Sequence, residues 1–357
     1  KKCQYIETFL SGKSNKWKII TYNKTKDDGL NRENLNNLIN IVRKNGGKKI
    51  GSLFKNQYEG TFIPIWLQLI DSNQLEKVEI SSPIGQLLAV KDDTELELCK
   101  RAGVLTNKVI KHGFINEMEN IIDKDEKVSH SDLALKIEGI ITDPSKINLK
   151  VSSEVVESCY NPIIQSGGKY DIRISAVSNS DILSSDVIIC SIGARYKSYC
   201  ANVARTFLID APIKIEQTYN TLLSLYNKCL EAMVVGNELK DVYETAVSFL
   251  TTKSSDLLPH LPKTLGFAIG IEFRDSTLVL NGNNKVKFTE NMVFTLTIGF
   301  QNVPLSDEDK ETSLSDSIKK LNVFSLLLSD TVRIIKEGAP DILTKVSKEY
   351  SDISYNI

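Results

Sequence analysis

Histidine and cysteine, the side chains that most often bind metals or act as nucleophiles, are few and scattered in this chain. The three histidines are His112, His130 and His260, and no two lie close enough in sequence to suggest a local pair of metal ligands. Six cysteines are equally dispersed, without a Cys-x-x-Cys motif. They are typical of reduced thiols in a cytosolic or nuclear protein. We therefore expect the histidines to be structural or at the surface.

A stretch of small and polar residues, Ser191–Thr206, has the spacing of a site built on two paired strands. It resembles the signature hairpin of the pita-bread metallopeptidases, the family of aminopeptidase P, prolidase and creatinase. In that family an aspartate precedes x-Gly, a second aspartate follows eleven residues later, and Arg-Thr begins three positions beyond the second. The same spacing here places Ser191 and Asn202 at the two aspartate positions and Arg205-Thr206 at the Arg-Thr. Two antiparallel strands bring both carboxylates to one face, where they bridge two divalent metals that activate a water molecule.

Other segments resemble the parts of the family that supply the remaining ligands. The family has a histidine three residues before the equivalent of Gly270, and glutamates inside a Met-Val-x-Thr-x-Glu strand and before Asp-Thr-Val. The five ligand positions of the family fall on residues with neither a carboxylate nor an imidazole: Ser191, Asn202, Phe267, Thr297 and Ser329. The family's proton-shuttling histidine falls on Arg274. Neutral oxygen donors do not offset the cost of dehydrating a divalent cation, so the resemblance implies a pseudo-peptidase without metal, cofactor or catalytic residues.

Several segments are similar to one non-enzymatic branch of this fold, the N-terminal peptidase-like domain of the large subunit of FACT-type histone chaperones. They are Ile163–Gly167, Gly193–Tyr196, Tyr199–Thr206 and Gly270–Arg274, and the similarity runs from about 160 to 340. It implies a nuclear, chromatin-associated protein that acts in nucleosome disassembly and reassembly during transcription, replication and repair. It also implies core histones as partners, with replication or transcription factors as further candidates. The smaller FACT subunit would bind through domains absent from this chain.

Asn202 and Arg274 are the candidate residues of a peptide-binding or histone-binding cleft in place of the former active site. The alternative for Asn202 is that it and Ser191 only satisfy each other's hydrogen bonds or those of trapped water. The alternative for Arg274, which is flanked by Glu272 and Asp275, is a local salt bridge that holds a strand end.

Composition limits the classes of function. The 357 residues are 41% hydrophobic and 25% charged, which is typical of a soluble globular protein with two domains. A net charge of −1 does not direct the chain to anionic membranes, and no sequence-specific binding of nucleic acid is expected. No apolar run is long enough to span a bilayer. Two rival functions remain: a metal-dependent aminopeptidase or prolidase with displaced ligands such as His260, and a structural docking module for chromatin or replication factors.

The elements that position these residues are predicted to form two lobes. Residues 1–90 alternate strands and helices and indicate a small α/β lobe, similar to the N-terminal lobe of creatinase and truncated at its start. Residues 91–357 indicate the pita-bread lobe, an α+β domain of two similar halves.

Periodicity places the individual elements. Helices are predicted along the apolar stripe from Leu35 to Val42, from Asp93, between Ser131 and Pro144, over 214–233 and over 239–252. Strands are predicted over 17–22, 49–51, 170–175, 187–193, 200–208, 277–280, 291–301 and 321–335, with a hairpin turn at Asn281-Gly282. Alternation along the paired strands puts Cys190 and Cys200 on opposite faces, which argues against a disulfide between them.

Overall fold

A computed structural model describes residues 19–54, 59–311, 313 and 315–356. The chain divides into two compact units, Lys1–Pro83 and Ile84–Ile357. The domain boundary after residue 90 stays a prediction. Across the described ranges, every helix is too short or too polar to cross a membrane.

The first unit is a small α/β lobe around a two-stranded parallel sheet. Its elements are α1 (Asp28–Lys44), β1 (Lys49–Ser52), α2 (Phe62–Ser72) and β2 (Glu76–Glu79). Helix α1 begins after Asp27, whose carboxylate accepts hydrogen bonds from the backbone N–H groups of Gly29 and Leu30 and so satisfies two free donors. Its apolar stripe buries Ile39 in a small core with residues of α2. The predicted strand over 17–22 is wrong where it can be checked, because residues 19–22 form no strand; Trp17 and Lys18 lie outside the described residues.

The second unit contains the longer helices. After α3 (Ser81–Ala89), which includes the unit boundary, they are α4 (Asp93–Lys108), α5 (Asn116–Asp123), α6 (His130–Thr142), α7 (Ile213–Ala232) and α8 (Leu239–Lys253). The one-turn helices are α9 (Asp307–Lys310), α10 (Asp316–Lys319) and α11 (Tyr350–Ile353). A π-helical segment, Val109–Ile115, joins α4 to α5, and 3₁₀ turns lie at Pro144–Ile147, Ser153–Val155 and Ser255–His260. The helices predicted from the sequence are thus confirmed.

In its described part, the second unit has one sheet of nine strands. They are β3 (Val156–Ser158), β4 (Ile163–Gln165), β5 (Val187–Tyr196), β6 (Tyr199–Ile209), β7 (Gly266–Ala268), β8 (Val293–Pro304), β9 (Val323–Arg333), β10 (Asp341–Ile342) and β11 (Ser354–Tyr355). The main order is β3-β5-β6-β9-β8-β7, with β4 beside β5, β10 beside β9 and β11 beside β6. The hairpin β5–β6 is antiparallel, as predicted, and the pair β8–β9 is antiparallel as well.

Apolar packing fixes which face of this sheet is available for a site. Helix α4 contacts β5 and β6, and α7 contacts β8 and β9. Helix and strand side chains join one large buried cluster, which includes Ile188, Ile192 and Leu328. Cys190 belongs to this cluster and Cys200 to a separate one; both are free, as the alternation predicts.

The predicted strand over 170–175 is wrong, since these residues form a loop. The side chain of Gln165 explains the difference. Its Nε2 donates to the carbonyl oxygen of Asp171 at 3.0 Å, and its Oε1 accepts from the N–H of Asp171 at 3.0 Å. A side-chain amide therefore makes the hydrogen bonds that a neighbouring strand would have made.

The predicted strand over 277–280 is also wrong, and with it the hairpin at Asn281-Gly282. Only Val279 forms an isolated bridge there, with Phe267. The carboxylate of Asp275 accepts hydrogen bonds from the N–H of Thr277 at 2.7 Å and of Leu278 at 3.2 Å. The Asn284 amide donates to carbonyl oxygens of the same segment. Side chains again compete with strand pairing.

Candidate functional site: a neutral cavity on the sheet

A cavity of about 310 Å³ lies against one face of the central sheet. Alternate residues of four strands form its floor: Ile189, Ser191, Asn202, Ala204, Thr297, Gly299, Leu327 and Ser329. The register places Ser329 opposite both Ala204 and Thr297, so side chains from β6, β8 and β9 converge at one point. Loops and β7 close the sides with 171–175, 262–264, Phe267 and Arg274.

All five positions at which the sequence lacks a family ligand line this cavity. Four of them are joined by hydrogen bonds. The Asn202 Nδ2 donates to Ser329 Oγ at 3.0 Å, and the hydroxyls of Ser329 and Thr297 are 2.7 Å apart. Thr295, on the same face of β8, accepts from Asn202 Nδ2 at 3.3 Å. Ser191 joins the network through a further residue.

That residue is Tyr160, which the sequence analysis missed. Its hydroxyl lies 2.7 Å from Ser191 Oγ and donates to Asn202 Oδ1. Tyr160 follows β3, on a bend with no spacing signal of its own. The signal that could have found it is Gly193, because a Cβ there would collide with the Tyr160 ring. Gly193 therefore makes room for the side chain that bridges Ser191 and Asn202.

Phe267 and Arg274 form one side of the cavity. The Phe267 ring is buried and packs edge-on against Phe273, with ring centroids 5.6 Å apart. The Arg274 guanidinium lies over the Phe267 ring, 5.4 Å from its centroid. Arg274 is exposed, and among the described residues no carboxylate forms an ion pair with it. The local salt bridge considered for Arg274 is therefore absent, since Asp275 caps its own loop instead.

The rim of the cavity is positively charged. Lys263 and Arg274 are exposed and line the opening, and Asp171 and Arg173 line it as well. Arg173 binds Asp171 with Nη2 2.6 Å from Oδ2 and Nε 2.9 Å from Oδ1. These bonds hold the pKa of Asp171 below its usual value. The carboxylate on the rim is thus already engaged, whereas two further cations face the opening.

These residues do not fit the two-metal site of the peptidase family. Asn202 accepts from Tyr160 with its oxygen and its amide nitrogen only donates, so a cation would find at most one remaining lone pair on a neutral oxygen. Phe267, at the position where the resemblance places the family's histidine, offers no donor atom. Throughout the described residues, no group of three or more His, Cys, Asp or Glu side chains is arranged to hold a metal ion.

The histidines lie outside the cavity floor. His130 is buried and bonds Asn179 Oδ1 and Ser166 Oγ, each at 2.7 Å, and burial lowers its pKa. His260 Nδ1 lies 2.9 Å from the carbonyl oxygen of Gln301, and His112 carries a pKa lowered by partial burial. His130 is structural, as expected from the sequence.

The opposite face of the same strands carries full charges. Arg205 and Asp330 are both completely buried and form an ion pair with Nη2 2.7 Å from Oδ1. Tyr226 donates to Asp330 Oδ2 at 2.8 Å and Lys348 lies 3.1 Å from it. Arg205 also donates to four backbone carbonyl oxygens, including that of Ser329 at 2.8 Å. The Arg-Thr and Asp-Thr-Val motifs thus supply a buried ion pair directly beside Asn202 and Ser329.

Sequence comparisons match two family models. Residues 97–336 match the metallopeptidase family M24, and residues 1–83 match the FACT complex subunit SPT16 N-terminal lobe domain. The FACT complex subunit SPT16 of Zea mays is 35% identical over 345 residues, which are 95% of this chain and 32% of that protein. The chain thus spans about a third of the length of the curated relatives that it matches.

Solved structures agree in fold over almost the whole chain. The X-Pro aminopeptidase of Thermotoga maritima superposes with a TM-score of 0.67 at 16% identity, over 99% of this chain and 86% of that one, which shows the pita-bread fold alone. The N-terminal domain of FACT complex subunit SPT16 from Cicer arietinum has a TM-score of 0.88 and 36% identity, over 99% of this chain and 82% of that chain. With its small N-terminal lobe and its M24-type second unit, the chain belongs to the family of SPT16 N-terminal domains.

Proposed function

We propose that this chain is a non-catalytic interaction domain of a FACT-type histone chaperone, acting in the nucleus on nucleosome disassembly and reassembly. Membership of the SPT16 N-terminal family supports the assignment. The observation that carries the non-catalytic part is the cavity floor, where neutral side chains hydrogen-bond to one another at the positions of the peptidase ligands. A divalent metal pair needs anionic oxygen or imidazole ligands to replace its hydration shell.

Core histones are the proposed partners of the domain, with replication or transcription factors as further candidates. The smaller FACT subunit would bind regions outside this chain. Because the net charge is −1, binding of basic histones has to come from local surfaces and not from an overall field. Within the cavity we assign Arg274 as a direct contact for a bound peptide. Asn202, which is buried, donates to the hydroxyl of Ser329, and Ser329 in turn bonds the hydroxyl of Thr297.

Histone binding is tested by titrating the full chain with the core-histone tetramer and with the core-histone dimer, each with and without tails, in isothermal calorimetry. Saturable binding that responds to tail removal supports the role and identifies the histone region involved. No binding to any of these four complexes up to about 50 μM would contradict it and favour the docking module for other chromatin factors.

The competing enzymatic function is tested separately. Metal analysis after incubation with Mn²⁺, Co²⁺ or Zn²⁺ should find no stoichiometric metal, and Xaa-Pro dipeptides should remain intact. Stoichiometric metal with turnover would establish hydrolysis by displaced ligands. A matched positive control is an active prolidase under the same conditions.

A further inference from the structure

The hydrogen bonds of the cavity floor leave one donor hydrogen without an internal acceptor. Ser191, Tyr160, Ser329, Thr295 and Thr297 each carry one hydroxyl hydrogen, and the Asn202 amide carries two. Only six hydrogen bonds join these side chains to one another. One hydrogen must therefore be directed elsewhere, and burial decides which one.

Thr297 is the hydroxyl that can direct its hydrogen into the cavity. Thr295 is completely buried, so an unpaired hydrogen there would cost about 1–3 kcal/mol. The cost disappears when Thr295 donates to Ser329 and Ser329 donates to Thr297. Thr297 is partly exposed and lines the cavity, so its own hydrogen then points to a ligand acceptor. Tyr160 donates to Asn202 Oδ1 and so turns the amide nitrogen toward the hydroxyls of Thr295 and Ser329, which accept its two hydrogens.

The rim adds positive charge to this donor. Lys263 and Arg274 have neither a hydrogen bond nor an ion pair within the described part of the chain, and both line the opening. The Arg274 guanidinium lies over the Phe267 ring, which itself lines the cavity. Asp171 is the rim carboxylate, and Arg173 already binds it through both oxygens. The hydroxyl hydrogen of Thr297 and the cations Lys263 and Arg274 thus all complement an anionic ligand that accepts hydrogen bonds.

The walls between floor and rim are apolar. Ile163 and Ile172 line the cavity there, beside the apolar floor residues Ile189 and Leu327. Its volume of about 310 Å³ is at the small end of ligand pockets, which span about 300–1,000 Å³. The space fits one or two side chains of an extended segment, with apolar surface beside a polar end.

We infer that this cavity binds an acidic peptide segment, in which a Glu or Asp carboxylate faces Lys263 and Arg274 and a neighbouring apolar side chain enters between the isoleucines. The inference rests on the proposed peptide-binding role of the cleft and specifies its ligand. A carbonyl or carboxylate oxygen of the bound segment accepts from Thr297 at the floor. A lysine-rich or arginine-rich segment, such as a basic tail, meets two unpaired cations here, so basic partners bind at other surfaces of the domain.

The test uses three capped, fluorescein-labelled peptides in fluorescence anisotropy with the full chain. The acidic probe is Gly-Ser-Leu-Glu-Leu-Glu-Gly-Ser, and its matched forms carry Gln or Lys in place of Glu. We expect saturable binding of the Glu peptide that weakens as salt increases, because exposed charges are screened. The Gln form should bind more weakly, and the Lys form should not bind measurably.

Variants locate the site. Lys263→Ala and Arg274→Ala should each weaken binding of the Glu peptide about three- to tenfold, and the double variant more, as expected for charge-assisted contacts. Thr297→Val, which keeps the shape and removes the hydroxyl, should weaken it about three- to fivefold. Lys285→Ala is the matched control, since Lys285 is exposed and does not line the cavity; it should leave binding unchanged.

Each contrary result has a distinct meaning. Binding of the Lys peptide that is lost in Arg274→Ala would overturn the acidic ligand while keeping a peptide-binding cleft. Failure of all three peptides up to about 1 mM, or Glu-peptide binding that the Lys263 and Arg274 double variant leaves intact, would overturn the cleft itself. Titration of the same double variant with histones tests the proposed function separately from these two outcomes. We expect basic partners to bind at other surfaces, so the affinity of the double variant for histones should be unchanged.

Discussion

The two faces of the β6–β9 strand pair hold buried polar side chains in opposite ways. On the cavity face, Asn202 and Ser329 belong to a network of neutral groups. Arg205 is three residues after Asn202, and Asp330 directly follows Ser329, so both lie on the other face. There they form an ion pair with both side chains fully buried. Successive residues of a strand point to opposite faces, so one strand pair carries both arrangements.

The difference shows which polar residues a fold can give up. Metal ligands can be replaced together by neutral groups, because the cation leaves with them and no charge remains buried. Without the cation, clustered carboxylates would repel one another, so neutral replacements remove that repulsion. Arg205 and Asp330 cannot be lost singly, because the remaining charge would stay buried without its partner. Burial therefore constrains Arg205 and Asp330 together, whereas no buried charge constrains Asn202 and Ser329 on the other face.

The largest expected effect comes from breaking the charged face. Asp330→Asn keeps the shape of the side chain but leaves Arg205 charged and buried, and it also weakens the bonds from Tyr226 and Lys348. We expect the free energy of unfolding of the second unit to fall by about 3–5 kcal/mol, measured by urea denaturation.

The matched control for Asp330→Asn is a surface ion pair. Lys228 and Glu231 lie 2.7 Å apart with more than half of each side chain exposed. Glu231→Gln should cost under about 1 kcal/mol. If Asp330→Asn costs no more than Glu231→Gln, the contrast between the two faces does not exist.

The strands that carry the site could be predicted from the sequence, because their residues are buried on both faces of the sheet. Residues of β5, β6, β8 and β9 are almost continuously buried, so long apolar runs with small residues at fixed spacing identify them. The resemblance to the peptidase family then grouped Ser191, Asn202, Thr297 and Ser329, and alternation along each strand agrees with their common face on the cavity.

The loop over 170–175 and the role of Tyr160 could not be predicted from the sequence, because both depend on particular side-chain contacts. Gln165 pairs with Asp171 and holds residues 170–175 as a cavity-lining loop, although their alternation is that of a strand. Tyr160 reaches the network from a bend that is 31 residues from Ser191 in sequence. Such contacts depend on tertiary position, and only Gly193 hints at them by leaving space.

A second prediction compares two buried carboxylates. Asp330 has partners for both oxygens, whereas Asp186 Oδ2 has no hydrogen-bond partner in the described part of the chain and its Oδ1 accepts from the N–H of Gly167 at 3.1 Å. Burial raises the pKa of Asp186 from its ordinary value of 3.8 to about 6. Folding therefore favours the protonated form, and the stability of the native protein falls as pH rises from about 4 through 6.

Asp186→Asn removes this ionisation. At pH 7 we expect the free energy of unfolding to rise by about 1–3 kcal/mol, because one pKa unit corresponds to about 1.4 kcal/mol. The gain should shrink as pH falls below about 6 and vanish near the ordinary value of 3.8. Thermal melts across this range measure it, with the exposed Glu290→Gln as control, which should change little at any pH. A gain that is constant with pH would show that charge is not its cause.

The smallest effect is expected on the neutral face. Tyr160→Phe removes the hydroxyl that accepts from Ser191 and donates to Asn202, but it leaves no charge behind. We expect a loss of about 1–2 kcal/mol in urea denaturation, the cost of two buried neutral groups that lose one partner. Tyr196→Phe is the control, because that hydroxyl meets the exposed Arg101 at 3.3 Å and its loss should cost under about 0.5 kcal/mol. A loss as large as that of Asp330→Asn would mean that the neutral network stabilises the sheet as strongly as the ion pair. The main role of the network would then be to stabilise the sheet. Weaker peptide binding in Thr297→Val would in that case be attributed to the lost hydroxyl only if Thr297→Val and Tyr160→Phe are both folded at the temperature of the binding measurement.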